Sequence, residues 1–208
     1  MAASNPWPLI HAERAALLAD LEGLTETQWS TPSLCAHWSV HQLLGHMTAT
    51  ARMTPPRFFA LFARSGFRFD VMNESNAAAQ TGPTPQDTFA AFRAQLGATT
   101  HPPGPVEAML GEAVIHSADI RRPLGIDRTY PAQAMIRVAD FYKSSNLLIG
   151  AKNRIAGLRL RATDETWTTG VGPEVAGPLL SLILAMTGRT AATADLSGDG
   201  VRTFASRP

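Results

Sequence analysis

A carboxylate and an imidazole stand four residues apart in a stretch that otherwise has the spacing of a buried helix. Residues 109–120 read Met-Leu-Gly-Glu-Ala-Val-Ile-His-Ser-Ala-Asp-Ile, between Pro105 and Pro123. At about 100° per residue, Glu112 and His116 fall on the same side of a helix as Met109, within the apolar stripe. A buried charge is costly unless it is paired or binds a metal. We therefore predict a helix here, with Glu112 and His116 as two ligands of a metal ion.

Two simpler interpretations of this pair stay open at the level of the helix itself. Glu112 and His116 could pair with each other, because residues four apart are neighbours on a helix surface. The apolar stripe could also be shifted so that both residues lie at its edge. A metal site therefore requires a third ligand from another helix.

Four more helices are predicted around this one. The first spans Pro8 to Leu21, and the second begins at a capping-box pattern, Ser39 to Gln42, and runs to about Met53. A third long helix starts with Thr84 as its N-cap, and another follows between residues 131 and 150. The apolar period of the first helix is assigned to Leu9, Ala12, Ala16 and Ala19, with Leu17 and Leu21 as further candidates.

Two histidines of the second predicted helix differ in their positions. His46 flanks the apolar face and can point toward a neighbouring helix, whereas His41 lies on the opposite flank and is interpreted as a hydrogen-bonded packing residue.

The spacing of apolar residues in the sequence changes after about residue 150. Alternation at 158–162 and 166–169 predicts two strands, 172–188 predicts a buried helix, and 201–204 predicts a last short strand. We therefore expect two domains: a metal-binding helical bundle over residues 1–150, and a small C-terminal α/β domain over residues 151–208 that packs on the bundle.

Composition narrows the class of protein. With 45% hydrophobic residues and a formal net charge of +1, the chain of 208 residues resembles an ordinary globular protein and lacks the basic stripe of a nucleic-acid binder. Its single cysteine excludes an internal disulfide and suits the cytoplasm. The first residues lack the features of a signal peptide, and the longest apolar run, residues 178–186, is too short to cross a bilayer. We expect no membrane partner.

Several stretches together resemble the mycothiol-dependent maleylpyruvate isomerase family, part of the wider DinB-like group of metal-binding four-helix bundles. The first is Pro-Ser-Leu-Cys-Ala-His-Trp-Ser-Val-His-Gln-Leu-Leu-Gly-His at 32–46, and the second is Gly-Glu-Ala-Val-Ile-His-Ser-Ala-Asp-Ile-Arg-Arg-Pro-Leu-Gly at 111–125. Two more lie at 160–167 and 172–200, where Gly-Arg and Gly-Asp-Gly patterns occur. The matching segments span nearly the whole chain in the family's order.

The resemblance implies a mainly α fold: a DinB-like four-helix bundle with a small, sterol-carrier-like α/β unit at the C-terminus. It also implies a divalent metal held by His46, Glu112 and His116, which supplies the third ligand. Three protein ligands and an open position suit a catalytic zinc, the ion that we expect, although two histidines and a carboxylate also suit iron or nickel.

The resemblance further implies an enzyme. Its cosubstrate would be mycothiol, the small thiol that replaces glutathione in actinobacteria, deprotonated at the metal to give a nucleophilic thiolate. The expected activity is that of a transferase or a cis–trans isomerase acting on a small electrophile. In an isomerase the adduct rotates and eliminates the thiol, whereas in a transferase the adduct is the product.

Five further residues are candidates for supporting roles. Arg121, Arg122, Arg189 and Arg202 could bind an anionic substrate or thiol, because arginine suits bidentate contacts with carboxylates. Asp119 could orient a metal ligand. A solvated surface role is the alternative for each of them. Cys35 matches the family's motif, but a lone cysteine near Trp38 is more often a packing residue.

Two other functions stay open. The first is a metal-dependent hydrolase whose open position holds water. The second is a non-catalytic binding protein in which the aromatic stretch from Phe58 to Phe69 lines a ligand pocket. The oligomeric state is expected to be a monomer or a homodimer.

Overall fold

The computed structural model describes residues 5–35, 37–147 and 149–207, and it divides the chain into two compact units, Met1–Arg128 and Thr129–Pro208. Among its described residues, the first unit consists of helices joined by loops, with one isolated β-bridge between Pro32 and Ser39. Its helices are α1 (Trp7–Leu21), α2 (Glu26–Trp29), α3 (Val40–Ala51), α4 (Pro55–Arg64), α5 (Phe69–Gln80), α6 (Pro85–Arg93) and α7 (Val106–Leu124).

The core of the first unit is built by α1, α2, α3, α6 and α7. Helix α3 packs against α5, α6 and α7, and α1 packs against α7 and α6. The buried cluster at the centre consists of Leu17, Leu18, Leu21, Trp29, Val40, Leu43, Leu44, Met47, Phe92 and Ile120. Burial of these side chains stabilises the bundle, and it places α3 beside α7, the two helices that carry the predicted ligands.

The buried face of α1 agrees with the predicted one at Leu17 and Leu21 but differs from it elsewhere. Ala12 and Ala19, assigned to the apolar face, are exposed, whereas Glu13 and Arg14 are buried. Alanines give a weak hydrophobic signal, and the larger Ile10, Leu17, Leu18 and Leu21 define the face that packs. The two charged residues are on that face because they have partners or neighbours of opposite charge in the bundle.

The second unit combines helices with a small sheet. Its helical elements are α8 (Ala132–Ser144), α9 (Ala151–Arg154), α10 (Leu179–Met186), a 3-10 helix (Thr190–Asp195) and α11 (Val201–Ala205). Its strands are β1 (Arg159–Ala162), β2 (Thr168–Thr169) and β3 (Glu174–Gly177), in the order β2-β1-β3. Strand β1 is antiparallel to β2 and parallel to β3, with Leu160 opposite both Thr169 and Val175. The expected fold class, mainly α with a small C-terminal α/β part, is confirmed.

Two elements of the second unit correct the sequence analysis. The segment 172–188 is a strand followed by a helix: β3 ends at Gly177, Pro178 follows, and the N-terminus of α10 is capped by Asp164, whose Oδ1 accepts from the Leu179 N–H at 2.8 Å. The predicted last strand, 201–204, is instead helix α11. Val201 and Phe204 are three residues apart, a helical spacing, and Phe204 is the buried member.

Helix α8 lies in the second unit, although the sequence analysis placed it with the bundle. Trp167 Nε1 donates to Asp140 Oδ1 on α8 at 3.1 Å, and α8 packs against α10. The expected domain boundary near residue 150 and the sterol-carrier-like character of the C-terminal unit stay predictions. Within the described residues, none of the helices has both the length and the apolar character needed to cross a membrane.

Candidate metal centre

Helix α3 supplies His46. The helix begins at the predicted capping box: Ser39 Oγ accepts from the Gln42 backbone N–H at 3.3 Å, and Gln42 Oε1 accepts from the Ser39 N–H at 3.0 Å. Gly45 lets the chain after α5 approach closely, since a Cβ here would lie 2.1 Å from Thr81 Oγ1. His46 is 9% exposed and therefore faces the interior of the bundle.

Helix α7 supplies Glu112 and His116, one turn apart. The helix ends at Gly125, whose φ of +67° is the left-handed conformation that glycine adopts readily. Both residues are partly accessible, but Glu112 Oε1 is buried and has no hydrogen-bond partner among residues 5–35, 37–147 and 149–207. A buried carboxylate oxygen without a donor is unfavourable unless a bound group completes its contacts.

The structure brings the three predicted ligands together. One potential ligand atom each from His46, Glu112 and His116 all lie within 4.8 Å of one another. The two imidazole rings are 5.0 Å apart between centroids and nearly perpendicular, at 86°. Two imidazoles and a carboxylate form a donor set that suits zinc and other divalent transition metals, so the residues present fit a metal ion.

Asp119 contacts His116 from the side. Its Oδ2 lies 2.9 Å from His116 Nδ1, and the residue is 0% exposed. Burial lowers the pKa of His116, but the interactions with Asp119 and with Cys35 outweigh it and raise that pKa to about 9. The carboxylate of Asp119 holds the His116 ring through Nδ1, and this is the arrangement that orients many metal-binding histidines.

Glu112 lies in a strongly electrostatic environment. Burial raises the pKa of its carboxyl, whereas the charges of His116 and Arg14 and a hydrogen bond with Thr50 lower it. Arg14, on α1, is itself 1% exposed, and burial lowers the pKa of its guanidinium while Glu112 raises it. Arg14 was not predicted from the sequence, because adjacent Glu and Arg residues in a helix usually indicate a solvent-exposed face.

The loop before α3 reaches the same region. The ring of Trp38 lies against the ring of His46, 4.7 Å between centroids and tilted by 30°. The Leu34 N–H donates to the Asp119 carbonyl at 3.0 Å, which ties the loop to α7. Consequently Cys35 contributes a sulfur within 4.8 Å of ligand atoms of His116 and Asp119. Cys35 is thus a neighbour of the metal centre as well as a packing residue.

The four arginines predicted to bind anions are distributed over both units. Arg121 is buried, and its guanidinium donates to Glu13 and to Asp20; Arg122 is partly buried at the end of α7. Arg189 donates to the Thr187 carbonyl at 2.8 Å, and Arg202 is exposed on α11. Their anion-binding role stays a prediction, and the contacts of Arg121 give that residue carboxylate partners within the protein.

His41 has the packing role expected from its position. Its Nε2 shares a hydrogen bond of 2.8 Å with the Thr88 hydroxyl, and its ring lies edge-on to Trp29. Burial lowers the pKa of the His41 imidazole. Although it lies on the same helix as His46, it belongs to the contact between α3 and α6.

Comparisons with known proteins agree with the fold and with the family resemblance of the sequence. Residues 10–102 match the family model of the mycothiol maleylpyruvate isomerase N-terminal domain. The fold is similar to the crystal structure of the mycothiol-dependent maleylpyruvate isomerase, with a TM-score of 0.62 and 16% identity over 93% of this chain and 91% of that chain. A histidine-to-alanine mutant of that isomerase matches with a TM-score of 0.60 and 15% identity over the same shares. No curated protein matches in sequence. The resemblance to this family is thereby confirmed, and the family's members named here are enzymes.

Proposed function

We infer that this protein is a mycothiol-dependent enzyme that uses a divalent metal. Its residues 10–102 match the mycothiol maleylpyruvate isomerase N-terminal domain, and its fold resembles that of such an isomerase. The proposed activity is that of a cis–trans isomerase or a thiol transferase acting on a small electrophile. Maleylpyruvate is the substrate named for the structural relatives, and it is the first compound to assay.

A single observation carries the metal part of this proposal. Ligand atoms of His46, Glu112 and His116 lie within 4.8 Å of one another, and Glu112 Oε1 lacks a hydrogen-bond partner in the part of the chain that the structure describes. A divalent ion held by these residues, with zinc as the expected one, would lower the pKa of a thiol at its open position and so provide a thiolate nucleophile at neutral pH.

The neighbouring side chains hold this donor set in place. Asp119, fully buried, fixes the ring of His116 through Nδ1, and Trp38 packs against His46. Rigid ligands matter because a site must hold its geometry closely in order to act on a substrate. Met109 and Ala113, on the same helix as Glu112 and His116, are buried as well.

The partners follow from the chemistry of the site. We propose a low-molecular-weight thiol and a small electrophile, in a cytoplasm that makes mycothiol. The thiol would add to a conjugated carbon, forming a C–S bond and leaving a C–C bond free to rotate. Elimination then breaks the C–S bond and restores the double bond in the trans form. If elimination does not follow, the adduct is the product of a transferase. Monomer and homodimer both remain compatible with this proposal.

Metal content measured by elemental mass spectrometry tests the proposal. We expect close to one metal per chain in the wild type and little metal in His116→Ala. His41→Ala is the matched control, because it removes a histidine with a structural partner, and it should keep its metal. A wild type that stays empty after reconstitution with zinc, nickel and iron would overturn the proposal.

Activity then separates the reaction classes. Turnover of maleylpyruvate or of a model electrophile should require added mycothiol in the metal-loaded wild type. Hydrolysis that proceeds equally well without a thiol would indicate that water, and not a thiol, occupies the open position. The proposal of a thiol-dependent enzyme would then be wrong, and a metal-dependent hydrolase would take its place.

A further inference from the structure

Arg14 places a buried positive charge beside the candidate metal centre. Its Nη1 is anchored to the chain after α6, donating to the carbonyls of Ala98 at 3.0 Å and Gln95 at 3.3 Å. Its Nη2 is buried and has no hydrogen-bond partner within the described ranges of the chain. Helix α1 packs against α7, and the guanidinium and the Glu112 carboxylate attract each other electrostatically. A buried guanidinium with an unused N–H₂ group is costly, which indicates that it has a function.

The charges of the surrounding groups suggest what this function is. Arg14 balances one of the two carboxylates of the centre, Glu112 and Asp119, so the side chains carry one net negative charge when both imidazoles are neutral. A divalent ion would leave one net positive charge, which a single anionic ligand neutralises. Without Arg14 the loaded centre would already be neutral, and its preference for an anion would weaken.

The ion pairs between the end of α7, the segment after it and α1 do not change this balance. Arg121 and Arg128 pair with Glu13 and Asp20, so that this neighbouring group is neutral as a whole. Arg14 instead interacts electrostatically with Glu112, and its second N–H₂ group has no hydrogen-bond partner within the described ranges of the chain.

We propose that Arg14 is a specificity-determining residue that makes the metal centre select an anionic exogenous ligand, here a small thiolate, over a neutral one. This inference rests on the proposed function, because it requires a metal at His46, Glu112 and His116. The inference also predicts that two affinities respond differently to loss of the Arg14 charge. The affinity for an anion falls, whereas the affinity for the metal cation stays unchanged or rises.

The full chain loaded with Co²⁺ tests this inference, because bound thiolate gives cobalt an additional near-ultraviolet absorption. Wild type, Arg14→Gln and Arg14→Lys are titrated with 2-mercaptoethanol, with azide as a second anion and with imidazole as a neutral ligand. In Arg14→Gln, which loses the charge but can still donate a hydrogen bond, half-saturation by thiol and by azide should need at least about tenfold more ligand. Imidazole binding should change little, and Arg14→Lys should restore most of the anion affinity.

Several outcomes separate this inference from the proposed function. Equal thiol affinity in wild type and Arg14→Gln would overturn the inference alone, and so would an equal loss of thiol and imidazole binding, which indicates structural damage. If neither variant folds, the wild type still decides: imidazole binding tighter than azide binding contradicts a centre that selects anions. Absence of cobalt binding by the folded wild type would overturn the proposed function and this inference with it.

Discussion

Two groups of charged or titratable residues lie at α7 and its neighbours, each with at least one buried member, and their carboxylates differ in how they are paired. In the ion cluster, formed by Glu13, Asp20, Arg121 and Arg128, both carboxylate oxygens of Glu13 accept from arginines, and Asp20 accepts from Arg121 Nε at 2.7 Å. In the ligand cluster, formed by His46, Glu112 and His116, the Glu112 Oε1 atom has no donor among the residues that the structure describes.

This difference in pairing indicates a structural role for the ion cluster and a binding role for the ligand cluster. When complementary charges pair within the protein, they have no unused contacts to offer a ligand. Removing one partner then leaves the other charge unpaired in an apolar interior. A buried carboxylate beside two imidazoles, with an oxygen left over, is instead completed by a cation from outside. We therefore expect substitutions in the ion cluster to change stability, and substitutions in the ligand cluster to change metal affinity.

The largest expected effect is on stability, in Arg121→Met. Both Arg121 and Glu13 are nearly inaccessible, so the variant leaves a buried carboxylate without its main partner. We expect the free energy of unfolding to fall by about 3–5 kcal/mol, measured by urea denaturation in the presence of a chelator. The folded fraction should still bind one metal per chain.

A double variant sharpens this expectation. Combining Arg121→Met with Glu13→Gln removes both charges, and it should recover part of the lost stability, because the nearly inaccessible Glu13 side chain no longer carries an unpaired charge; Asp20, which also loses Arg121, is partly accessible to water. If the double variant instead loses the sum of the two single effects, the two residues are independent and the cluster is not a coupled structural unit.

The second effect concerns metal affinity, and it compares the same substitution in both clusters. Glu112→Gln should weaken metal binding by at least about a hundredfold, because it removes the only anionic ligand of the three. The stability of the metal-free protein should be unchanged or slightly higher, since a buried charge is lost. Glu13→Gln should show the opposite behaviour, with lower stability and unchanged affinity in a competition assay with a metal-sensitive dye. Equal metal affinities in the two variants would remove the distinction between the clusters.

The two clusters also differ in how far the sequence predicted them. Glu112 and His116 break the apolar stripe of α7 at helical spacing, and His46 flanks the face of a well-capped helix, so periodicity placed them correctly on their elements. The proximity of these three residues in the folded protein was implied by the resemblance to a family. The ion cluster was not predicted: Arg121 was expected to bind an anionic substrate or thiol or to be a solvated surface residue, and its partners lie about a hundred residues earlier in the chain.

Pairing over such separations depends on how helices pack, which local patterns do not encode. The same limitation explains Arg14, whose helix presents a face other than the alanine-rich one that the sequence indicated. It also explains Cys35, which a hydrogen bond between the Leu34 N–H and the Asp119 carbonyl brings near His116. In α11, a four-residue segment was too short to distinguish the period of a strand from that of a helix.

The smallest of the three effects tests Asp119, which contacts a ligand without being one of the three. Asp119→Asn keeps an oxygen that can accept from His116 Nδ1 but removes the charge that holds the ring. We expect metal affinity to fall by about tenfold, less than in Glu112→Gln, because outer contacts tune a ligand and do not replace it. Asp20→Asn is the matched control in the ion cluster and should leave metal affinity unchanged while it lowers stability. A hundredfold or larger loss in Asp119→Asn would mean that Asp119 binds the metal directly, with the second candidate group of Cys35, His116 and Asp119 as the centre.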